Sequence, residues 1–458
     1  MKIIESTWAT GVRRYSFMFM AVVLLLLRAD AGAVLAQDTD RVDAQMTNTP
    51  ALTYVIRNAR IVTVSGADID NGILVVSGGR VVAVGGSAVV PAGAQEIDAR
   101  GLTVYPGMID VGTNMGLVEV ASGARGTVDT QELGDMNPNI SAIWSINPHS
   151  SHIAVTRVAG VTSVLSRPSG GIISGQAAFI NLAGTSPREM MVVPEAALMI
   201  EFPRVGGGGG FQSQQAVTPD AITQRDRRVE ELRRMLRDAI AYGRAHDAYR
   251  NDPKSVPRPV TNLKLAALVP YARGERPVIF RAERERDIRG AISFAEEMKL
   301  KPIIIGASEG SKIAGFLNEH NVPVILDGVL NLPLREDDAY DSLYENAAKL
   351  QAAGVKFCIS TGDSGAHVRD LPFQAGMAAA FGLPRIEALK SVTLYPAQIM
   401  GVADRVGSIE QGKIANLVIA DGDMLEPRTT IRYLFINGRQ IPLVSRHTML
   451  NEVFKDRK

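Results

Sequence analysis

Alternating hydrophobic and polar positions predict short β-strands near both ends of the chain. Residues 53–64 are rich in β-branched side chains, and residues 72–84 repeat the alternation around a glycine pair that suits a hairpin turn. Residues 415–420 and 431–439 show the same pattern, with Asn437-Gly438 at a second turn. Neither set is large enough for an independent sheet. We therefore expect both ends to pair into one small β-sandwich, and two unrelated hairpins are the alternative.

Between these ends the chain alternates strand-like and helix-like segments. The strand-like runs lie at residues 103–109, 161–165, 191–193, 277–280, 301–305, 322–326 and 355–360. Amphipathic helix patterns precede the later runs, at residues 288–298, 309–320 and 342–353. Repeated βα units build a parallel sheet. Because no glycine-rich dinucleotide fingerprint follows the first strand, the predicted α/β fold is a TIM-type (β/α)8 barrel rather than a doubly wound sheet.

An inserted segment at residues 206–255 interrupts this alternation with five consecutive glycines and a charged helix. Its apolar positions recur at helical spacing and predict one narrow stripe, formed by Val229, Leu232, Leu236 and Ile240. Arginines and acids alternate along the helix, which favours a solvated face over an anion or nucleic-acid surface. The glycines lack the following Lys-Ser or Lys-Thr of a phosphate-binding loop, so we interpret them as a flexible loop.

Composition then narrows the function classes. The chain has 49 Lys and Arg against 48 Asp and Glu, and the formal charge of +1 excludes a nucleic-acid binder that works through bulk basicity. The single cysteine, Cys358, excludes an intramolecular disulfide and a cysteine-based zinc cluster, and we expect it to be a buried strand residue without a redox role. Six histidines set a ceiling on any histidine-rich metal site.

The first 36 residues have the pattern of an export signal. Arg13 and Arg14 precede the apolar residues 15–27, and small residues follow up to Ala36. The apolar run is shorter than the roughly 18 residues that span a bilayer, which favours a cleaved signal over an anchor. We favour the Sec route over a twin-arginine signal. The mature protein is expected to be periplasmic or secreted, with no stable membrane anchor after cleavage.

Sequence motifs at both ends of the barrel lie at residues 97–110, 388–397, 401–413 and 435–439. They resemble the amidohydrolase superfamily, in particular its imidazolonepropionase-like and periplasmic branches. The resemblance spans about residues 53–443 and implies a barrel joined to a β-sandwich built from both termini. It divides the chain into a linker at 37–52, a sandwich at 53–105 and 405–443, a barrel at 106–404 and a C-terminal tail at 444–458.

The resemblance also implies hydrolysis of non-peptide carbon–nitrogen bonds by a metal-bound hydroxide. The implied ligands are a His-x-His pair after the first strand, one histidine each from the fifth and sixth strands, and an aspartate after the eighth. The corresponding positions hold Gly112 and Asn114, residues 280–283, Gly306 and Asp363. With four of the five ligands absent, we expect no histidine-held zinc.

A compensating metal site is a weaker alternative to this expectation. It would be built from His149, His152 and Asp363. His149 and His152 have a suggestive spacing, but the segment that carries them reads as a loop entering a helix N-terminus. Surface or helix-capping roles for the two histidines are therefore favoured.

Charged residues at the predicted barrel mouth are the first site candidates. Period-two alternation puts Arg281 and Glu283 on one strand face, with Asp110, Asp327 and Asp363 around the mouth. In one hypothesis Arg281 binds a substrate carboxylate. An acidic residue, with Asp363 as the catalytic candidate, then acts as general base. In the other, which we favour, the cluster is an ion-pair network that fills the space left by the metal.

The loop at residues 166–176 is the second site candidate. Gly170 and Gly171 allow backbone amides to approach a ligand closely. Ser169, Ser174 and Gln176 supply hydrogen-bonding side chains. A tight turn of the barrel is the alternative interpretation.

Three functions follow from the sequence and stay open. The first is an exported hydrolase that acts on the carbon–nitrogen bond of a small amide, cyclic amide or dipeptide-like substrate. The second is a non-catalytic pseudoenzyme that binds such a ligand, and the third is a subunit that supports a catalytic partner. The expected partner is a small molecule, with no nucleic acid, and a homo-oligomer is compatible with the chain.

Overall fold

Two eight-stranded sheets organise the part of the chain that the structure describes. The computed structural model describes residues 52–120, 125–205, 218–362 and 364–457. The predicted export signal, nearly all of the predicted linker, the five-glycine loop and Asp363 lie outside the described residues.

Sixteen strands are present in the described residues. They are β1 Tyr54–Ile61, β2 Ile69–Ser77, β3 Arg80–Gly85, β4 Gln95–Asp98, β5 Thr103–Pro106, β6 Met108–Thr113, β7 Val161–Ser166, β8 Ile173–Asn181, β9 Met191–Glu201, β10 Pro277–Ala282, β11 Lys301–Gly306, β12 Val324–Asp327, β13 Phe357–Ser360, β14 Leu417–Ala420, β15 Ile431–Ile436 and β16 Arg439–Ile441.

The helices lie mostly between the later strands. The α-helices are Ser151–Arg157, Pro187–Met190, Pro219–Asn251, Leu263–Ala272, Glu285–Glu297, Ala314–Glu319, Asn346–Ala352, Leu371–Ala380, Arg385–Ser391, Leu394–Ile399 and Arg446–Phe454. Short 3-10 helices are Arg125–Thr127, Ala142–Trp144, Gly310–Ile313 and Gly365–Asp370. Within the described residues, no helix combines the length and the apolar content needed to cross a membrane.

The first sheet contains strands from both ends of the chain. Its order is β16-β15-β14-β5-β1-β2-β3, with β4 paired to β1, and the antiparallel pair β14 and β5 joins the two ends. A Cβ at Gly79 would lie 3.0 Å from the carbonyl oxygen of Asn437, so the β2–β3 turn touches the β15–β16 turn. The sheet therefore curls around a core that includes Ile56, Leu74 and Phe435. The predicted composite β-sandwich is confirmed.

The second sheet runs in order from β6 to β13 and nearly closes into a barrel. Its first and last strands are joined through Asp110, whose carboxylate accepts a hydrogen bond of 2.6 Å from the Ser360 hydroxyl. Apolar side chains fill the interior: Ile109, Val111, Leu165, Ala177, Phe179, Ala197, Met199, Ile279, Ile303, Ile305, Ile325 and Cys358. The predicted TIM-type barrel and the buried position of Cys358 are confirmed.

One barrel strand differs from the predicted pattern of parallel βα units. β8 is antiparallel to both of its neighbours, β7 and β9. The loop predicted at residues 166–176 ends earlier than expected, because Ser174 and Gln176 lie in β8. Its ligand-binding role stays a prediction. Every residue of β8 is buried, so the strand has no polar face and gives no period-two signal.

The charged helix Pro219–Asn251 is present, and its predicted apolar stripe is confirmed. Leu232 and Leu236 are buried, while Val229 and Ile240 pack against the same core at partial exposure. Its charged face pairs with a neighbouring barrel helix, where the Arg233 guanidinium Nε lies 2.8 Å from the Glu297 carboxylate. This is the solvated, ion-paired surface that the alternation of charges predicts.

A hydrogen-bonded cluster joins the sandwich to the barrel. The side-chain amide of Asn416 donates to Ser163 at 3.1 Å and to Asn181 at 2.9 Å. Asn181 in turn donates to the Asn437 side chain at 2.6 Å, and Asn437 has the positive φ of 53° that its turn requires. The second hairpin turn of the sandwich is thus fixed to two barrel strands, β7 and β8.

A second polar cluster lies in residues 408–413, the segment that leads from the barrel into β14. The Glu410 carboxylate accepts hydrogen bonds from the Lys413 ammonium at 2.8 Å and from the Ser408 hydroxyl at 2.6 Å. These two donors, Lys413 first, lower the pKa of Glu410 from 4.5 to about 2. The contact therefore favours folding only while Glu410 is ionised.

Replacing Glu410 by Gln should remove a pH-dependent part of the stability. A carboxylate with a lowered pKa stabilises the fold above its ordinary pKa of 4.5, and that stabilisation disappears as the pH falls towards about 2. The difference in melting temperature between the wild type and Glu410→Gln should therefore be present at neutral pH and shrink across this range. Glu452→Gln is the matched control, because Glu452 forms an i,i+3 pair with Lys455 on an exposed helix. Equal pH profiles for the two variants would contradict the prediction.

Candidate functional site at the barrel mouth

A layer of charged side chains lies above the apolar interior of the barrel. Four strands contribute the interior residues Leu165, Met199, Ile279 and Ile325. Two positions later along the same four segments lie Arg167, Glu201, Arg281 and Asp327. Because side chains two apart share a strand face, the apolar column of each strand ends in a charge at the mouth. We call these four residues the charged layer.

Ion pairs connect the charged layer across the mouth. The Asp327 carboxylate lies 3.4 Å from the Arg281 guanidinium and 3.7 Å from the Arg167 guanidinium. Arg281 also lies 3.6 Å from the carboxylate of Glu283. The side chains of Asp327 and Arg167 are 5% and 1% exposed, so these charges are held away from water and are compensated by one another. Arg281 is thus engaged by two carboxylates.

Glu283 is fixed by the turn that follows β11. The Ser308 hydroxyl donates to its carboxylate at 2.7 Å. Gly306 has a φ of +101°, and a Cβ there would lie 2.5 Å from the Glu283 carboxylate. The space that a side chain at position 306 would need is therefore filled by Glu283.

Asp110, the third acid expected around the mouth, is fully buried. It accepts hydrogen bonds from the Gly112 amide at 3.0 Å, the Ser360 hydroxyl, and the amide and hydroxyl of Thr361. Burial raises the pKa of Asp110 despite these donors. These hydrogen bonds connect Asp110 in the first barrel strand, β6, to the end of the last barrel strand, β13.

The residues at the implied metal positions do not fit a histidine-held zinc. A Cβ at Gly112 would lie 2.1 Å from the Ser360 hydroxyl oxygen, so no side chain has room there. The side-chain oxygen of Asn114 is used by the Gly365 amide at 2.8 Å. In the described part of the chain, no three His, Cys, Asp or Glu residues gather closely enough to hold a metal ion. That the protein lacks zinc stays a prediction.

The two histidines of the weaker metal alternative lie at the start of helix Ser151–Arg157. His149 is exposed in the preceding turn. The His152 ring contacts Glu119, with 3.1 Å from its Nε2 to the backbone oxygen, and its amide donates to the capping Ser150 hydroxyl. Their third predicted partner, Asp363, lies outside the described residues.

A cleft of about 480 Å³ brings the two predicted site candidates together. Arg281 and Glu283 line it together with Gly170 and Gly171. The other lining residues are Ile172, Glu201, Phe202, Pro203, Arg204, Arg228, Ala282 and Asp287. The volume is within the range of small-molecule sites.

Three predicted ligand-binding residues are not among those that line this cleft: Ser169, Ser174 and Gln176. The Gln176 side chain is buried, donates to the Pro138 carbonyl at 2.9 Å and accepts from the Tyr271 hydroxyl at 2.8 Å. Burial raises the pKa of Tyr271 to about 12, so this hydroxyl keeps its proton at neutral pH. The backbone amide of Ser169 donates to the Thr130 carbonyl at 2.9 Å. Through its two side-chain hydrogen bonds Gln176 links the loop at Pro138 to the helix that carries Tyr271.

Two members of the charged layer, Arg167 and Glu201, are not among the site residues that the sequence predicts. Arg167 lies two positions after Leu165, the same spacing that singled out Arg281, so the signal for it is in the sequence. Glu201 ends β9, of which the sequence predicts only residues 191–193. Without the length of that strand, its end could not be assigned to the mouth.

Comparisons with known proteins agree with this architecture. The model of the amidohydrolase family matches residues 311–441. The amidohydrolase tasK of Hapsidospora irregularis is 25% identical over 383 residues, which covers 76% of this chain and 37% of that protein. N-acetylglucosamine-6-phosphate deacetylase of Haemophilus influenzae is 51% identical over 37 residues, which are 8% of this chain and 10% of that protein. The chain thus spans well under two thirds of these curated relatives.

Solved structures share the fold over most of the chain. An amidohydrolase from Thermotoga maritima superposes with a TM-score of 0.73 at 24% identity and covers 85% of this chain and 99% of its own. A prolidase solved with N-methylphosphonate-L-proline gives a TM-score of 0.52 at 20% identity, covering 86% of this chain and 100% of its own.

Fold and mouth together define a barrel protein with a composite β-sandwich. The family model over residues 311–441 and the shared architecture make the chain similar to members of the amidohydrolase superfamily.

Gly112→Ala should destabilise the protein by about 1–3 kcal/mol, because the added methyl collides with Ser360 in a packed barrel. Adding Ser360→Gly removes the colliding atoms, so the double variant should lose less stability than the two single variants summed. Gly315→Ala is the control, since its Cβ would meet open space. Urea unfolding gives the free energy of unfolding of the four variants relative to the wild type. If the losses in the two single variants add up in the double variant, the collision is not the cause.

Proposed function

We propose that this protein binds a small amide or dipeptide-like ligand at the barrel mouth without the histidine-held zinc of its superfamily. The observation that carries the proposal is the position of Arg281, whose guanidinium lies between the carboxylates of Asp327 and Glu283. In this view the protein keeps the superfamily's pocket and has exchanged its metal for an arginine.

The physical argument is charge compensation. Asp327 is almost fully buried, and an isolated carboxylate in such a position is costly unless a cation or hydrogen-bond donors neutralise it. A divalent ion is one such partner. A guanidinium is another, because its planar donors match carboxylate oxygens and it stays charged at any physiological pH. Glycine at positions 112 and 306 supports the same reading, since neither position has space for a metal-binding side chain.

The ligand class rests on the family and on the cleft. Relatives and neighbours are named as amidohydrolases, a deacetylase and a prolidase. The cleft has charged walls from the barrel and an apolar part formed by Ile172, Phe202 and Pro203. Both features suit a small polar amide with an apolar group. The signal-like residues 1–36 support placing this binding function in the periplasm or outside the cell.

Removing the arginine tests the proposal. In Arg281→Met the buried Asp327 loses a cation, so the melting temperature should fall, and Mg²⁺ or Ca²⁺ should restore part of the loss because carboxylate oxygens bind these ions. The wild type should show no response to either ion, and elemental analysis should find less than one zinc per chain. Adding Asp327→Asn to Arg281→Met should abolish the response to the ions.

Arg276→Met is the matched control for this experiment. Arg276 directly precedes β10 and pairs with the half-exposed Glu195 at 2.5 Å, so its loss changes the same charge outside the mouth. Tightly bound zinc in the wild type, or an Arg281→Met variant as stable as the control, would overturn the exchange of metal for arginine.

Hydrolysis of a carbon–nitrogen bond is the second candidate function, favoured by the names of the relatives. Here an acid at the mouth would act as general base, with Asp363 as the sequence candidate. Release of amine from a panel of amides, cyclic amides and dipeptides measures turnover. Activity that disappears in Asp363→Asn would support this candidate, and unchanged activity would remove Asp363 from the mechanism. A ligand that raises the melting temperature without forming product supports binding alone.

A further inference from the structure

We infer that Arg204 and Arg228 form the anion-recognition pair of this cleft and select ligands that carry a carboxylate or phosphate beside an apolar group. The inference deepens the proposed binding function and rests on it. It moves the ligand's anionic contact from Arg281, the clamp that the sequence suggests, to two arginines at the rim.

The first step is the balance of charges among the residues that line the cleft. The guanidinium of Arg281 is engaged by Asp327 and Glu283. Asp287 is paired with the neighbouring Arg286 at 3.4 Å. Glu201, the third acid of the lining, also has an interaction partner in the structure. The charged residues of the lining other than Arg204 and Arg228 are therefore engaged before any ligand arrives.

Arg204 and Arg228 differ from the other charged residues of the cleft. Both line it and both are exposed, and neither guanidinium makes an ion pair or a hydrogen bond with any described residue. Arg204 lies three positions beyond the end of β9, and Arg228 lies in the third turn of helix Pro219–Asn251. Two separate elements therefore contribute one uncompensated guanidinium each to the same cleft.

Guanidinium groups bind oxyanions well because their forked donors match two oxygens at once. A carboxylate and a phosphate both offer that geometry. The apolar residues Ile172, Phe202 and Pro203 line the same cleft and can cover an aliphatic or aromatic group next to the anion. The chemistry that fits is an amphiphilic anion rather than a free inorganic ion.

Three probes distinguish the sources of the anion. N-acetyl-L-leucine carries a carboxylate, phenyl phosphate carries a phosphate, and N-acetyl-L-leucinamide is the uncharged counterpart of the first. Calorimetric titration of the full-length mature protein should show at least one anion binding roughly tenfold or more tightly than the uncharged amide. The affinity should fall with added salt, since both arginines are exposed to solvent.

Arg204→Gln and Arg228→Gln should each weaken the anion roughly tenfold and leave the binding of the uncharged amide unchanged. Arg227→Gln is the matched control. Arg227 is exposed on the same helix, lies next to Arg228 and does not line the cleft, so it changes the same net charge.

A loss of affinity confined to the Arg204→Gln and Arg228→Gln variants would support the inference. The anion that binds more tightly would show whether the natural ligand carries a carboxylate or a phosphate. Equal losses in all three variants would reduce the effect to general electrostatics and overturn it. Failure of the wild type to bind either anion at roughly millimolar concentration would overturn it as well. Zinc content and the Arg281→Met response are measured separately from these affinities, so failure of this inference can be told apart from failure of the proposed function.

Discussion

The structure at the mouth depends on one electrostatic constraint: the buried carboxylate of Asp327 must have a positive partner. The barrel interior beneath it is apolar, and a lone charge in such surroundings costs several kcal/mol or more. Arg281 and Arg167 supply that partner from two different strands. Three strands of the barrel are thereby held at their carboxyl ends by charge as well as by their backbone ladder.

The same constraint explains which residues are small. Gly306 leaves room for Glu283, which reaches back to Arg281. Gly112 leaves room for Ser360, whose hydroxyl completes the hydrogen bonds around Asp110. A histidine at either position would displace a group that now satisfies a buried charge. Side chains at positions 112 and 306 are thus sterically incompatible with the present positions of Ser360 and Glu283.

Much of the fold could be predicted from the sequence because its strands alternate or are bounded by turns. The strand pattern at residues 53–64 and the Asn437-Gly438 turn predicted the composite sandwich, and the later βα units predicted the barrel. β8 could not be predicted, since it is buried on both faces and its direction depends on its neighbours. Arg281 and Glu283 were found by strand alternation, whereas the position of Arg228 in the cleft depends on how its helix packs.

The pairing of β5 with β14 has a consequence for the order of folding. These strands lie more than 300 residues apart in the chain, as the contact of Tyr105 with Gly422 across 317 positions illustrates. Such a long-range pair is entropically expensive to close, and β14 is synthesised after β5. The N-terminal strands of the sandwich must therefore wait for the last part of the chain, and until it arrives they expose an unpaired edge. A chain truncated near its C-terminus would carry that edge permanently, as a site for aggregation or for capture by a chaperone.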